Sequence, residues 1–277
     1  MSGGDRGPMG NIESPFFDIG RLDALSAKDT PIHRLDARVK VLTTIYFIVV
    51  VISFGKYDPA CLAPLIVYPV TVMTVGSIPF GYIAKKLLIA SPFVLSVALF
   101  NPLLDRSPAL DLGLFTLSGG SLSFASIMAK YVLTVSAGLA LIACTGVDAI
   151  CSALSRMGVP RAFTIQLLFL YRYIFVLGQE AVRMVRARAL RSFGNKGLGM
   201  GVYTGMVGHL LLRTMDRAQR IHLAMLCRGF DGEIPYGPSS GIRLSDLLYF
   251  IGWSSLFTLL RLYNLSAWLG KELGRLI

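Results

Sequence analysis

Two arginines, Arg191 and Arg228, occupy matching places in a repeated stretch of this sequence. Residues 187–193 read ARALRSF and residues 224–230 read AMLCRGF, so each arginine precedes a small residue and then a phenylalanine. A guanidinium donates two parallel hydrogen bonds to a carboxylate, a small neighbour permits close backbone approach, and a phenylalanine fills an apolar pocket. The repeat therefore predicts two plugs for the grooves of a dimeric partner protein, formed by Leu190, Arg191, Ser192, Phe193, Cys227, Arg228, Gly229 and Phe230. The alternative is that both arginines only add to the positive charge on the cytoplasmic side.

Other residue patterns that carry chemistry are missing from the sequence. It holds no G-x-x-x-x-G-K-[ST] phosphate loop and no G-x-S-x-G nucleophile elbow. Its three histidines, His33, His209 and His222, lie far apart, and its four cysteines form no C-x-x-C pair. We therefore predict no catalytic residue, no metal site and no cofactor, and we expect that the chain is not an enzyme.

The composition is that of an integral membrane protein. Of 277 residues, 54% are hydrophobic and only 16% are charged, and the mean hydropathy is +0.62. The formal net charge of +11 could suggest a nucleic-acid partner, but most basic residues flank apolar runs. That placement is typical of the positive-inside bias. We therefore expect the chain to contact membrane lipid and not to bind nucleic acid.

The order of apolar runs predicts an all-α integral membrane protein with about five to six transmembrane helices plus cytoplasmic coupling helices. Residues 1–40 form a cytoplasmic N-terminal arm, and residues 41–147 hold transmembrane helices 1–4, placed at 41–54, 60–80, 87–104 and 124–147. Arg38 and Lys40 are expected to snorkel and lengthen the first span, while Lys85 and Lys86 are expected in the turn before the third.

The two plugs lie in the next segment of the chain, residues 148–243, and this segment must position them. We predict it to be the cytoplasmic coupling-helix region. A helical pattern runs from 161 to 192, apolar first and then basic, and we expect it to lean on the bundle because both its flanks are basic. The glycine-containing stretch 197–212 is a doubtful span. Arg213, Arg217 and Arg220 follow on one helical face, and the helix that carries them should end near Gly229. Residues 244–277 form the C-terminal transmembrane helix and tail.

Several of these stretches together resemble a known family, the transmembrane (T) component of energy-coupling factor transporters of the cobalt, CbiQ-type branch. The resemblance rests on HRLDARVKVL at 33–42, on ALSRMGVP at 153–160, and above all on the two arginine phrases. In that family such phrases close with Ala-Arg-Gly-like triplets on two coupling helices. Here the triplets are Leu190-Arg191-Ser192 and Cys227-Arg228-Gly229, and RGFDG at 228–232 indicates the cobalt branch.

The resemblance implies a non-catalytic scaffold of the cell inner membrane, multi-pass, with a cytoplasmic N-terminus. It implies as partners two cytoplasmic ABC-type ATPase subunits and a substrate-binding (S) membrane subunit for cobalt, with nickel as the second candidate metal. ATP-driven closure of the ATPases would move the coupling helices and tilt the substrate-binding subunit. The alternative function is a stand-alone membrane permease, or an integral-membrane enzyme whose cytoplasmic arginines bind an acidic substrate.

Overall fold

The computed structural model describes residues 25–26, 28–55, 59–104, 108–111, 116–191, 200–232, 241 and 243–262. Their elements are α1 (Ala37–Ser53), a 3-10 helix (Pro59–Ile66), α2 (Val67–Val75), α3 (Phe80–Leu104), β1 (Pro108–Asp111), β2 (Thr116–Ser118), α4 (Gly119–Thr145), α5 (Val147–Arg156), α6 (Arg161–Arg191), α7 (Met200–Cys227) and α8 (Leu244–Leu262). The chain divides into a membrane unit, Leu25–Gly146 with Ser240–Ile277, and an arginine-rich unit, Met1–Ala24 with Val147–Ser239. The predicted all-α membrane fold is confirmed, and the predicted domain boundaries stay predictions.

In the membrane unit, α1 and α8 pack side by side and run in the same direction. Near their starts, the Asp246 carboxylate accepts hydrogen bonds from the backbone N–H groups of Asp36 (3.1 Å) and Arg243 (2.8 Å). Near their ends, Arg261 Nη2 donates to the carbonyl oxygen of Ser53 at 2.9 Å. One buried carboxylate thus satisfies donors at two helix N-termini, which otherwise lack partners.

Helix α4 lies antiparallel to α1, and lysines join the two helices near both ends of α1. Lys40 Nζ donates to the carbonyl oxygen of Cys144 at 3.2 Å, and Lys130 Nζ donates to that of Phe54 at 2.6 Å. The expectation that Lys40 snorkels was wrong, because its side chain is buried in this contact. The carbonyls at a helix C-terminus lack intrahelical donors, so an ammonium there stabilises the helix end.

Aromatic side chains fill the space between α1, α2 and α8. The ring centroids of Phe47 and Tyr68 lie 4.7 Å apart, and both rings contact Phe257 with centroids at 5.2 Å. Trp253 and Tyr68 make a T-shaped contact with ring centroids 5.0 Å apart. Tilted and edge-to-face contacts of this kind are favoured by the charge distribution of the rings. The C-terminal helix is therefore part of the core of the membrane unit.

The predicted second span at 60–80 is not one continuous helix. Its first part is the 3-10 helix, which contains Pro64, and α2 follows and ends at Gly76. Proline lacks the N–H that an α-helix needs, and Gly76 sits where α4 approaches the chain closely. A Cβ atom on Gly76 would lie 2.7 Å from Cys144 Sγ and 2.7 Å from the carbonyl oxygen of Val72.

Replacing Gly76 with alanine should therefore destabilise the membrane unit. We expect a loss of about 1 to 3 kcal/mol in the free energy of unfolding, the usual cost of overpacking, measured by thermal unfolding in detergent. Gly81→Ala is the matched control, because a Cβ atom there meets no atom within 4 Å. Equal unfolding midpoints for the two variants would contradict the close packing at Gly76.

One more expectation for this unit needs correction. Lys85 and Lys86 do not lie in a turn but within α3, which begins at Phe80, and Lys86 Nζ stands 5.6 Å from the ring centroid of Tyr82. The loop before α4 also contains the antiparallel hairpin of β1 and β2, with Asp111 opposite Thr116. The hairpin was not predicted, because its strands have only 4 and 3 residues, too few to show a period.

Of the predicted N-terminal arm, residues 1–24 and 27 lie outside the described residues, and the rest belongs to the membrane unit. His33 Nε2 donates to the carbonyl oxygen of Leu25 at 3.2 Å, and in the neutral ring His33 Nδ1 accepts from Thr30 Oγ1 at 2.7 Å. The pKa of His33 is lowered from 6.5, first by burial and also by the charge of Lys40. The folded state thus favours the neutral imidazole.

This lowered pKa predicts a pH dependence of stability. The unfolded state binds a proton on His33 more readily than the folded state does. The contribution of neutral His33 to stability is therefore fully present above about pH 6.5, the ordinary pKa of histidine. It is lost as the pH falls through the lower pKa of His33 in the folded state. Between about pH 8 and pH 5 the unfolding midpoint should fall more for the wild type than for His33→Gln. His222→Gln, at an exposed site, should keep the wild-type slope; an unchanged slope in His33→Gln would contradict the assignment.

Three described helical segments are long and apolar enough to cross a membrane. They are Phe80–Phe100 in α3, Gly120–Thr145 in α4 and Arg161–Arg191, which is α6. Helix α1 has 17 residues, or about 26 Å at 1.5 Å per residue, close to the hydrocarbon thickness of about 30 Å. The count of five to six crossings and the expectation that α6 leans on the bundle remain predictions.

Candidate partner-binding site

The first arginine phrase lies at the C-terminal end of α6. This helix begins directly after Pro160 and runs for 31 residues to Arg191, as the pattern of apolar and basic residues predicted. Arg188 and Arg191 occupy its last turn, where the negative end of the helix dipole favours cations. Leu190 is 76% exposed and Arg191 is also exposed. Ser192 and Phe193 lie outside the described residues.

The second phrase ends α7 through a glycine cap. The backbone N–H of Phe230 donates to the carbonyl of Met225 at 3.0 Å, and that of Gly229 donates to the carbonyl of Leu226 at 3.0 Å. Gly229 has φ +80°, the left-handed conformation that this type of cap requires and that glycine adopts without strain. The cap halts the helix after Cys227 and leaves Arg228 exposed at its end.

The surroundings of both arginines are apolar and open. Leu223 and Leu226 are exposed near the end of α7, as Leu190 is beside Arg191. Cys227 is an exposed free thiol, and Phe230 is half-buried. A charged fork beside exposed leucines is typical of an anchor in a protein interface, where apolar contact excludes water from the charged pair.

The structure brings the two helices into contact. Glu180 Oε1 of α6 accepts from Arg213 Nη1 of α7 at 2.6 Å, which joins the helices well before their ends. Sequence reasoning did not single out Glu180; the available signal was a lone acidic residue in a basic helical half.

The candidate metal ligands are not brought together. Among the described residues, no group of three or more His, Cys, Asp or Glu side chains could hold a metal ion. His33 belongs to the membrane unit, while His209 and His222 are exposed on α7. Cys144 and Cys151 are buried free thiols. The expectation that the chain binds no metal tightly remains a prediction.

Comparisons with known proteins point to transport. The family model described as CbiQ, cobalt transport protein, matches residues 28–236. The energy-coupling factor transporter transmembrane protein EcfT of Heliobacterium modesticaldum is 26% identical over 221 residues, which cover 74% of this chain and 81% of that protein. A Methanocorpusculum labreanum protein with the provisional name of fused cobalt transport protein CbiMQ is 27% identical over 143 residues, covering 50% of this chain and 22% of that protein.

Proposed function

Because the chain belongs to the CbiQ family of cobalt transport proteins, we propose that it is the transmembrane coupling subunit of an energy-coupling factor importer for cobalt ions. Its partners are two cytoplasmic ABC-type ATPases and a substrate-binding membrane subunit. The chain itself is not an enzyme and lies in the cell inner membrane with its N-terminus in the cytoplasm. Cobalt is bound by the substrate-binding subunit.

The observation that carries this proposal is the placement of the two arginine phrases. Each exposed arginine stands at the C-terminal end of a long helix of the same unit, and each has an exposed leucine beside it, Leu190 or Leu226. A pair of equivalent anchors suits a partner that presents two equivalent grooves, as a dimer of ATPases does. Arginine fits such a groove because its planar fork pairs with a carboxylate in two places at once.

In this mechanism α6 and α7 are the coupling helices. ATP binding closes the two ATPases, and their grooves carry the anchored helix ends with them. The helices pass this movement to the membrane-spanning part of the complex, where the substrate-binding subunit tilts and releases its ion to the cytoplasm. The chain's residues supply binding and force transmission, since the hydrolytic chemistry belongs to the ATPases.

The test is reconstitution in liposomes with purified partner subunits. The chain with both ATPases and the substrate-binding subunit should take up Co²⁺ in an ATP-dependent manner, and omission of the chain should abolish uptake and ATPase recruitment. The matched control is the complete set with ATP replaced by ADP. Uptake of Co²⁺ by the chain alone, without ATP, would contradict the proposal and support the stand-alone permease.

A further inference from the structure

Glu180 of α6 links two arginine side chains of the arginine-rich unit. Its Oε2 accepts from Arg183 Nη2 at 2.7 Å and its Oε1 accepts from Arg213 Nη1 at 2.6 Å. Arg183 lies on the same helix, whereas Arg213 lies on α7. The Glu180 side chain is only 22% exposed, against 64% and 66% for the two arginines. The carboxylate therefore lies where the two helices meet, and each oxygen has its own partner.

The position of this junction matters for the two anchors. At 1.5 Å per residue, Arg191 lies about 16 Å along α6 from residue 180, and Arg228 lies about 22 Å along α7 from residue 213. Helices are stiff over such lengths, so the angle at which they cross sets the separation of their ends. A small rotation at the junction becomes a displacement of several ångströms at the anchors.

We propose that Glu180 is a positioning residue that fixes the crossing of the two coupling helices and thereby the separation of Arg191 and Arg228. The coupling role in this statement rests on the proposed function, whereas the junction itself rests on the three contacting side chains. Neutralising Glu180 leaves Arg183 and Arg213 close together without a counter-charge, and like charges repel. The helices are then expected to separate or rotate at this point.

Loss of the Glu180 ion pairs is expected to change the geometry of the helix ends more than the stability of the fold. Water screens an exposed ion pair, so the unfolding midpoint of Glu180→Gln should change little. The distance between the two helix ends should change more, because each end lies about 16 to 22 Å along its helix from the junction. The informative measurement is therefore the distance between the ends of α6 and α7, and not the melting temperature.

The experiment is a distance measurement between spin labels on the full chain, alone in lipid nanodiscs. One label is placed on the exposed native Cys227 and the other on Leu190→Cys, in a Cys61→Ser background; Cys144 and Cys151 are buried. We expect a single narrow distance distribution for this parent, and loss of that narrow peak in both Glu180→Gln and Arg213→Gln.

Two further variants give the result its meaning. The exchange Glu180→Arg with Arg213→Glu keeps one acid between two arginines and should restore the narrow peak, which a merely structural defect would not do. Arg217→Gln removes a charge from the same helix outside the junction and should leave the peak unchanged. An unaltered peak in both Glu180→Gln and Arg213→Gln would overturn the proposal. Because no ATPase is present, this outcome is independent of whether the coupling function is correct.

Discussion

Replacing both Arg191 and Arg228 with lysine is expected to reduce ATP-driven cobalt uptake to near background. Removing one partner of a desolvated, hydrogen-bonded charge pair costs about 2 to 5 kcal/mol. Lysine keeps the charge but not the planar fork, so we expect a loss near the lower end, about 2 kcal/mol or roughly thirtyfold in affinity for an ATPase at each site. The measurement is ATPase co-purification and uptake in proteoliposomes.

The controls separate the two anchors from the surrounding positive charge. Arg188→Lys and Arg220→Lys change exposed arginines on the same two helices, and they should leave uptake and ATPase binding at the wild-type level. Each single anchor variant should be impaired, and the double variant should be worse than either. Normal uptake by the double lysine variant, with an intact complex, would mean that the two arginines act only as positive charge.

Replacing Asp246 with alanine is expected to produce a large loss of stability in the membrane unit. The side chain is buried, with the residue 2% exposed, and it accepts from the backbone N–H groups of Asp36 and Arg243. A buried donor left without a partner costs about 1 to 3 kcal/mol, so the two donors together should cost about 2 to 4 kcal/mol once partial exposure is allowed for. Thermal unfolding in detergent measures the change.

Two comparisons sharpen this prediction. Asp246→Asn keeps one accepting oxygen, so it should satisfy one of the two donors and fall between alanine and wild type. Asp29→Asn is the surface control: Asp29 pairs with Arg34 at 2.8 Å where both side chains are 69% exposed. Pairs of this kind contribute little to stability, because water screens the two charges. An Asp246→Ala protein that unfolds at the Asp29→Asn midpoint would show that the two helix starts do not depend on this carboxylate.

Local patterns in the sequence determined much of the arginine-rich unit. The pattern of apolar and basic residues predicted a helix over 161–192, and α6 runs from Arg161 to Arg191. The end of α7 near Gly229 was also predicted, because only a few neighbouring residues are needed to form a glycine cap. Both anchors could therefore be placed at helix ends from the sequence, since helix periodicity and capping are short-range effects.

Contacts between distant segments were decided only by the tertiary structure. The pairing of Asp36 with Asp246 spans 210 positions, and that of Lys40 with Cys144 spans 104. Nothing within one helix indicates which partner a buried charge will find, so Lys40 was expected at the membrane surface although it lies in the core. The Glu180–Arg213 junction was unforeseen for the same reason: each helix is determined by its own residues, but their crossing depends on side chains that meet only after both helices have packed.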